Sequence, residues 1–384
     1  MLFINLGGYH AARLRAAGAA CEARGWTITA LQLTNDVLGH PWGNVDLTVS
    51  FPVVTLFDAS ETAVTRSPAA IRKRVWRALE ESRPDAVAIP GWGSRLARAA
   101  LTWTKHSGVA AVLMSESKRD DARRWWPAEK LKSWLWVRSF DAAVVGGERH
   151  RAYAIELGIP AARVFTGYDA VDNAYFTTEA DRARREPDEA RARVPQIPIR
   201  PYFLAMTRLV PRKNVRRLLD AYALYRERAG SSPCDLVVCG DGQCRAELSM
   251  YVRARGLTGS VHFPGFVPYD QLGVWYGLAA GFVHAALQEQ WGLVVNEACA
   301  AGVPIAASRT VGAAAELVHD GDTGLLFDPA DVEAIAATLF RLQQLSPDER
   351  NRMVEAARRE VARFTPERFG SALVEAVRTA VERS

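Results

Sequence analysis

Short apolar runs alternate with amphipathic stretches along most of the chain. Runs such as Leu2–Leu6, Ala86–Ile89 and Tyr202–Met206 have the length and near-continuous hydrophobicity of strands buried in a parallel sheet. Between such runs lie segments with helical periodicity. The clearest begins at Ser67-Pro68, which supplies an N-cap and a proline for the first turn. The alternation predicts α/β domains built on parallel sheets.

The same pattern locates each element. The strands predicted in the first half are Leu2–Leu6, Thr27–Leu31, Asp46–Ser50, Ala86–Ile89, Ala110–Met114 and Ala142–Val145. Those predicted in the second half are Tyr202–Met206, Asp235–Cys239, Val261–Phe263, Gly281–His284 and Pro304–Ala307. Helices are predicted in the second half over Val215–Glu227, Arg245–Arg255, Leu293–Ala301, Asp331–Gln344, Asp348–Phe364 and Pro366–Glu382.

A charged, proline-punctuated stretch interrupts the rhythm over residues 177–200. Because it contains almost no large apolar side chains, we interpret it as a linker between domains 1–176 and 201–365. The predicted fold class is α/β, with two Rossmann-like doubly wound domains and a ligand cleft between them.

Composition narrows the class of protein. The 384 residues include 48 Lys and Arg against 43 Asp and Glu, a formal charge of +5. This excess is too small to predict nucleic-acid binding, but it suits an anionic substrate. The longest uncharged run, residues 271–288, is interrupted by glycines and predicts helix, turn and strand, so no membrane span is expected.

The N-terminal segment and the cysteines predict a cytoplasmic protein. The basic residues near the N-terminus follow its apolar run, unlike those of a signal peptide. Five cysteines are scattered in a way that fits reduced thiols. Cys234, Cys239 and Cys244 are five apart, but this spacing is too wide for a typical zinc site, so we predict no metal.

The strongest chemical signal is a pair of carboxylates, Glu289 and Glu297, around a glycine-started helix. Gly292 lies at the expected helix start, and the free N–H groups of a helix N-terminus bind phosphate. Glu289 precedes the helix, whereas Glu297 lies within it, where a carboxylate could accept hydrogen bonds from a sugar diol.

A second signal is the segment TRLVPRKN, which follows a strand. Arg208 and Lys213 stand at the carboxyl end of that strand, where two cations suit a diphosphate. A solvated basic helix start is the alternative interpretation.

Three glycine-containing loops also follow predicted strands: Gly7-Gly8, Gly240-Asp241-Gly242 and Gly265-Phe266-Val267. Glycine lets the backbone approach a phosphate or a sugar closely. Each loop alone is equally compatible with an ordinary turn.

Taken together, these segments resemble glycosyltransferase family 4, retaining enzymes of the GT-B fold. The resemblance is carried by Arg208–Lys213, Gly240–Gly242, Gly265–Val267, Glu289–Leu293 with Glu297-Ala298, Gly302–Pro304 and Asp322–Phe327. It covers the second domain at family-typical spacing, whereas the first domain matches mainly in its strand–helix rhythm and its Gly7-Gly8 loop. It also implies that the last helix, within 366–384, returns to the N-terminal domain.

The resemblance implies a role for each site residue. Arg208 and Lys213 would hold the nucleotide diphosphate, Glu297 the ribose hydroxyls, and Glu289 the donor sugar. Backbone N–H groups around Trp291, Gly292 and Leu293 would assist Glu289. Six residues would flank the base: Gly240, Asp241, Gly242, Gly265, Phe266 and Val267. Gly7 and Gly8 would let the loop of the first domain close on the diphosphate and the acceptor.

The resemblance also implies how the reaction proceeds. Two cations and a helix terminus would stabilise the departing diphosphate, so neither a divalent metal nor a further cofactor is required. Asp320-Gly-Asp322 has the form of a metal-binding Asp-x-Asp motif, but a solvated turn is the preferred interpretation. Retention is expected on the front face, with the departing phosphate taking the acceptor proton. A covalent intermediate on Glu289 is the minority alternative.

The sequence departs from the family pattern on the acceptor side. Many members carry a histidine after a late strand of the first domain, whereas this chain has Ser115 and Glu116 after Ala110–Met114. Glu116 is therefore a candidate catalytic residue, and a structural ion pair with Lys118 or Arg119 is the alternative.

Residues 123–140 form a basic segment that contains four of the eleven tryptophans. Three interpretations stay open: packing on the domain's own core, an acceptor site, or peripheral contact with the inner face of a membrane.

The function predicted is hexose transfer from a nucleotide sugar to a hydroxyl acceptor, such as a glycan, a lipid-linked glycan or a secondary metabolite. The alternatives are a GT-B-type phosphorylase or epimerase and a non-catalytic sugar-nucleotide-binding subunit. The sequence leaves the base, the donor sugar, the acceptor and the oligomeric state undetermined.

Overall fold

The computed structural model describes residues 1–35, 48–58, 61, 67–122 and 124–383. The chain divides into two compact units. The first comprises Met1–Val171 and Phe364–Ser384, and the second comprises Asp172–Arg363.

The first unit is built on parallel strands. They are β1 Leu2–Phe3, β2 Ala30–Thr34, β3 Val53–Phe57, β4 Ala86–Pro90, β5 Ala110–Ser115, β6 Ala142–Val145 and β7 Val164–Thr166. The order is β1-β2-β3 in one sheet and β4-β5-β6-β7 in the other, and β1 lies beside β4. The chain therefore runs outward in both directions from β1 and β4, as in a doubly wound fold.

Helices cover both faces of these strands. They are α1 Gly8–Glu22, α2 Pro68–Ser82, α3 Arg95–Ser107, α4 Trp126–Leu135, α5 Glu148–Glu156 and, at the chain's end, α15 Pro366–Val381. The predicted cap of α2 is present, because the Ser67 side chain accepts a hydrogen bond from the Ala70 N–H. The last helix packs closely on α1: a Cβ at Gly370 would lie 2.6 Å from the Ala16 carbonyl oxygen.

The second unit contains one six-stranded parallel sheet in the order β10-β9-β8-β11-β12-β13. Its strands are β8 Tyr202–Met206, β9 Asp235–Cys239, β10 Val261–Gly265, β11 Gly281–His284, β12 Ile305–Ser308 and β13 Leu325–Phe327. Its helices are α6 Asn173–Arg185, α7 Pro187–Arg193, α8 Val215–Arg228, α9 Arg245–Ala254, α10 Tyr269–Leu278, α11 Leu293–Ala301, α12 Gly312–Leu317, α13 Val332–Gln344 and α14 Pro347–Val361. The central strands are wholly buried, which explains their continuous apolar sequences.

The stretch 177–200 is not a plain linker, because most of it forms α6 and α7 of the second unit. Its buried residues are mainly small. A Cβ at Gly277 of α10 would lie 2.6 Å from the Ala180 carbonyl oxygen and 2.9 Å from the Ala183 Cβ. Helices that pack through alanine and glycine bury a face without large apolar side chains, so the composition was misleading.

Three strand predictions need correction. The strand predicted over Leu2–Leu6 ends at Phe3. The strand predicted over Thr27–Leu31 lies three residues later in β2. Of the strand predicted over Asp46–Ser50, residues 46 and 47 lie outside the described residues and 48–50 are not extended into the sheet. The edge strands β3, β7 and β13 were not predicted, and β13 pairs in parallel with β12.

None of the helices in the described ranges combines the length and the apolar character that crossing a bilayer requires. The predicted helix, turn and strand over 271–288 are present as α10 and β11.

Candidate functional site

The carboxyl ends of β8 and β11 define the candidate site of the second unit. These two strands are neighbours at the point where the strand order reverses, and doubly wound folds bind ligands there. The loop after β8 spans residues 207–214, and the loop after β11 spans residues 285–292.

Lys213 and Glu289 meet across these two loops. The Lys213 ammonium contacts Oε2 of Glu289, and each side chain is only about 10% exposed. Arg212 approaches the other carboxylate oxygen, with 3.7 Å between its Nη1 and Oε1 of Glu289. The structure thus brings together two residues that sequence analysis selected separately, and it adds a third, Arg212.

His284 is a member of this cluster that the sequence analysis missed. It is the buried last residue of β11, and its Nε2 lies 3.2 Å from Oε2 of Glu289. Burial, reinforced by Lys213 and Arg212, holds the pKa of His284 well below its ordinary value. The imidazole is therefore neutral at pH 7, and with its proton on Nε2 it donates to Glu289. The signal in the sequence that could have pointed to His284 is its position at the carboxyl end of a predicted strand.

Arg208 lies on the exposed side of the loop after β8. Partial burial and the nearby Arg212 guanidinium lower the pKa of Arg208 from its usual value. An arginine stays protonated despite such a shift, so the two guanidinium groups create a locally positive surface. That surface suits an anion such as a diphosphate.

Asn214 fixes the two loops to one another. It directly precedes α8 but does not cap it, because its backbone is left-handed, with φ of 62°, and its side chain makes no cap hydrogen bond. Instead, its Nδ2 donates to the carbonyl oxygens of Ala285 at 3.0 Å and Pro329 at 2.8 Å. The Leu287 N–H also donates to the Arg212 carbonyl at 2.9 Å. These bonds hold Arg212 and Lys213 in place.

The start of α11 lies directly after Glu289. Gly292 has φ of +97°, and a Cβ there would lie 3.0 Å from Val311 Cγ1 and 3.1 Å from Glu289 Cγ. Glycine is therefore needed for the tight turn that brings Glu289 to the helix N-terminus. Leu293, the first helical residue, is half-buried.

The Trp291 side chain is in the interior, because it is fully buried and its Nε1 donates to Asn296 Oδ1 at 2.8 Å. It can assist a ligand at this loop only through its backbone.

Glu297 lies inside α11 and is fully buried. The Tyr276 hydroxyl donates to its Oε2 at 2.6 Å. Its carboxylate is fully covered in this structure, unlike that of a residue already presented to a ribose.

The loop Gly240-Asp241-Gly242 packs tightly against the loop after β8. A Cβ at Gly240 would lie 2.0 Å from the Thr207 carbonyl oxygen, and one at Gly242 would lie 2.5 Å from that of Leu209. Both glycines also have positive φ values, +121° and +155°. They are thus required by packing whatever else they bind, and Asp241 between them is exposed.

The loop after β10 adjoins this one. The Gly240 N–H donates to the Gly265 carbonyl at 2.7 Å. Phe266 is exposed, whereas Val267 is buried. Of this loop, the Phe266 ring is the group available to a planar ligand.

In the first unit, Gly7 is the N-cap of α1 and Gly8 its first residue. The Gly7 N–H donates to His10 Nδ1 at 2.9 Å. Burial and the charge of Arg13 lower the pKa of His10 to about 3, so His10 is a neutral acceptor. The Gly7-Gly8 pair therefore shapes a helix N-terminus after β1.

Glu116 follows β5, and its neighbour is the buried Asp169 that follows β7. Burial, then the charge of Glu116, holds the pKa of Asp169 well above its ordinary value. Neither Asp169 oxygen has a hydrogen-bond partner within the described part of the chain. Arg13 lies alongside, and its Nη1 donates to the Tyr168 carbonyl at 3.0 Å. Sequence analysis missed Asp169, which carries no motif signal.

The alternative ion pairs of Glu116 are not formed. The buried Lys118 bonds to Asp120 at 2.7 Å, and Arg119 contacts Glu156.

The two segments with metal-like spacing, the three cysteines and Asp320-Gly-Asp322, do not gather ligands in the described part of the chain. Asp320 lies in an exposed turn, where its Oδ1 accepts from the Leu326 N–H at 2.8 Å. Across the described ranges, no three His, Cys, Asp or Glu side chains come together as a metal site would require, and all five cysteines are free thiols.

Comparison with known proteins relates the second unit to a family. Residues 188–360 match the protein family described as Glycosyl transferases group 1. This part of the chain is therefore similar to glycosyltransferase group 1 domains. It contains Lys213, Glu289 and the switch point of the sheet.

The chain is also similar to curated transferases. Over 149 residues the chain is 36% identical to the O-antigen chain mannosyltransferase B of Escherichia coli. The aligned region covers 38% of this chain and 37% of that protein. Over 171 residues the chain is 33% identical to a GDP-mannose-dependent phosphatidylinositol monomannoside mannosyltransferase of Mycolicibacterium smegmatis, covering 42% and 44%. The chain thus spans about two fifths of the length of these relatives.

Solved structures extend the likeness to the whole chain. A glycosyltransferase from Rickettsia africae superimposes with a TM-score of 0.76 at 14% identity, over 100% of this chain and 99% of that one. At this identity the likeness shows the fold, and both units together have the α/β GT-B fold.

Proposed function

We propose that this protein is a retaining glycosyltransferase that moves a hexose-type sugar from a nucleotide diphosphate sugar to a hydroxyl acceptor. One observation carries the proposal: Lys213, Arg212 and His284 converge on Glu289 at the switch point of the sheet, within the region similar to glycosyltransferase group 1 domains. The names of the two mannosyltransferase relatives support a hexose as the transferred group.

The diphosphate binds between Lys213, Arg208 and the start of α11 in this proposal. Lys213 already has an anionic partner in Glu289, so the diphosphate takes over part of its charge when the donor binds. As the bond from the sugar to the diphosphate breaks, negative charge builds on the leaving phosphate. Fixed cations and helix N–H groups stabilise that charge most strongly in the transition state. The residues supply this stabilisation themselves, so we expect turnover in the presence of EDTA.

Glu289 orients the donor sugar and is a poor nucleophile. Its Oε2 lies 3.2 Å from His284 Nε2, a contact that remains when Lys213 turns to the phosphate, and a hydrogen bond from His284 lowers the electron density available for attack. We therefore favour front-face retention. The acceptor hydroxyl oxygen forms the new bond to the anomeric carbon as the bond to the phosphate oxygen breaks, and that phosphate oxygen takes the hydroxyl proton.

Recognition of the nucleoside requires one local change. Glu297 can bind the ribose hydroxyls only after its carboxylate is uncovered from beside Tyr276. The Phe266 ring and the backbone of 240–242 flank the base in this proposal, which places few side chains against it.

The acceptor side is assigned to the first unit. Glu116 lies at the carboxyl end of β5, and its ion-pair alternatives are occupied by other partners. We propose that Glu116 orients the acceptor hydroxyl, with Gly7 and Gly8 lining the same strand edge.

A donor turnover assay tests the proposal. The purified chain is incubated with EDTA and with nucleotide sugars of UDP, GDP, ADP and dTDP, and nucleoside diphosphate release is measured. We expect one nucleotide series to be consumed, and an α-linked donor to give an α-linked product by NMR. An inverted product would contradict retention. A requirement for free phosphate would favour a phosphorylase, donor isomerisation would favour an epimerase, and binding without turnover would favour a non-catalytic subunit.

A further inference from the structure

Helix α4 of the first unit buries polar residues and exposes apolar ones, which is the reverse of a normal surface helix. The two residues of Trp126–Leu135 that are buried are Glu129 and Ser133, one helical turn apart. Tryptophans and leucines lie on the outside instead. A surface helix ordinarily buries its apolar stripe and exposes its charges.

Polar contacts hold the buried side of α4 in place. Glu129 accepts from Lys132 at 2.6 Å and contacts the Tyr153 hydroxyl. The Ser133 hydroxyl donates to the Leu157 carbonyl. The helix is therefore fixed to the unit by specific hydrogen bonds, which leave its apolar residues outside.

We call the outward residues Trp125, Trp126, Leu131, Trp134 and Leu135 the tryptophan face. Trp125 is 72% exposed, Trp126 59% and Trp134 70%. Packing on the domain's own core therefore does not account for them. Only the fourth tryptophan of the segment, Trp136, packs against the core.

The charge around the tryptophan face is positive. Lys130 is exposed, with its Nζ 3.9 Å from the Trp126 ring centroid, and Arg138 is exposed just beyond the helix. Within the described residues 124–139, the sole carboxylate is that of Glu129, and it is turned inward. Nothing in this described stretch would repel an anionic surface.

We propose that the tryptophan face docks the first unit on the surface of an anionic lipid bilayer. Indole rings settle at the boundary between headgroups and acyl chains, and lysine and arginine beside them attract anionic headgroups. A ten-residue helix with this pattern lies in the interface and does not cross the bilayer. A second protein copy would bury the same tryptophans but would not call for exposed Lys130 and Arg138 with no exposed carboxylate on the described stretch 124–139, so the observations favour lipid. This inference does not depend on the reaction proposed above.

Vesicle flotation of the full chain tests the inference. The probes are phosphatidylcholine vesicles with and without about one third phosphatidylglycerol. We expect the protein to float with the anionic vesicles and to stay behind with the neutral ones. Raising the salt from 0.05 to 0.5 M is expected to weaken binding, because it screens the headgroup charge.

Two variants locate the contact. Trp126→Ser with Trp134→Ser should abolish flotation, and Lys130→Glu should lower the vesicle partition coefficient about fivefold or more. The matched controls are Ile199→Ser, an apolar residue 86% exposed in the second unit, and Lys105→Glu on α3. Both controls should float like the wild type. Circular dichroism and thermal melting show whether each variant is folded.

The proposal is overturned if the wild-type protein does not float with anionic vesicles. It is equally overturned if the folded double variant floats as well as the wild type. Sedimentation that shows a wild-type dimer and a monomeric double variant, without flotation, would assign the face to a second copy instead.

Discussion

Lys213 and Glu289 are 76 positions apart in sequence, yet their charged ends touch at the switch point of the second unit's sheet. The contact joins the loops that follow two adjacent strands, β8 and β11. A cation paired with a carboxylate in the absence of ligand is prepared to exchange that partner for a phosphate. Several of the predictions below depend on this exchange.

Removal of the Lys213 charge should impair catalysis. We expect Lys213→Ala to lower kcat about 10²- to 10³-fold, because it removes a cation at the position where charge develops in the transition state. Arg216→Ala is the matched control, since Arg216 is exposed on the next turn and is paired with Glu247. Steady-state kinetics with the donor that the turnover assay selects measures both. Equal loss in the two variants would contradict the assignment.

Replacing Glu289 should separate binding from turnover. Glu289→Gln keeps the side-chain shape but frees Lys213 from its anionic partner. Nucleoside diphosphate should therefore bind as tightly as in the wild type or more tightly, while kcat falls about 100-fold or more because the sugar loses a charged contact. Calorimetric titration and kinetics on the same preparation test this. Weaker nucleotide binding with unchanged kcat would be the opposite of the expected result.

Asp169 should make the first unit less stable as the pH rises. Its pKa is raised in the folded chain, whereas in the unfolded chain it titrates near 3.8. The folded state therefore retains a proton that the unfolded state releases. This contribution is fully present below pH 3.8 and is lost as the pH rises through the raised folded pKa.

Asp169→Asn replaces the protonated acid by a neutral group of the same shape. At pH 8 it should raise the free energy of unfolding by about 1–3 kcal/mol, and the gain should shrink towards pH 5. Urea unfolding at pH 5, 6.5 and 8 measures it, with the exposed Asp85→Asn as the control. A gain that is independent of pH would show that Asp169 is not protonated in the folded chain.

The contact between α6 and α10 should not tolerate an added methyl group. Gly277→Ala would place a Cβ 2.6 Å from the Ala180 carbonyl oxygen, so the helices must separate. We expect a loss of about 1–3 kcal/mol of stability. Gly93→Ala is the control, because a Cβ there has nothing within 4 Å. Thermal melting measures the stability of both variants. Equal losses in the two would contradict the close contact between α6 and α10.

Much of the second unit could be predicted from sequence because its central strands are buried on both faces. The bounds of β8, β9 and β11 agree with the continuous apolar runs that predicted them. The edge strands β3 and β7 were missed, because a short, partly exposed strand carries a weaker apolar signal.

Contacts made by the fold, as opposed to motifs, could not be predicted. Nothing in the sequence around His284 indicates that its ring faces Glu289, and nothing near Asp169 indicates that Glu116 is its neighbour. The exposure of Trp126 and Trp134 was likewise undetermined, since a tryptophan-rich helix predicts a core face as readily as an outer one. Periodicity identifies the faces of a helix, and tertiary contacts decide which face is buried.

The most direct measurement for the central claim is nucleotide binding by the wild type and by Lys213→Ala. Thermal unfolding is followed with EDTA and with UDP, GDP, ADP and dTDP and their common sugar conjugates. One series at about 100 times its dissociation constant should stabilise the wild type by about 2.7 kcal/mol, and Lys213→Ala should show little or none of that gain. If no nucleotide stabilises the folded wild type, or if the variant is stabilised equally, then the donor does not bind where Lys213 meets Glu289.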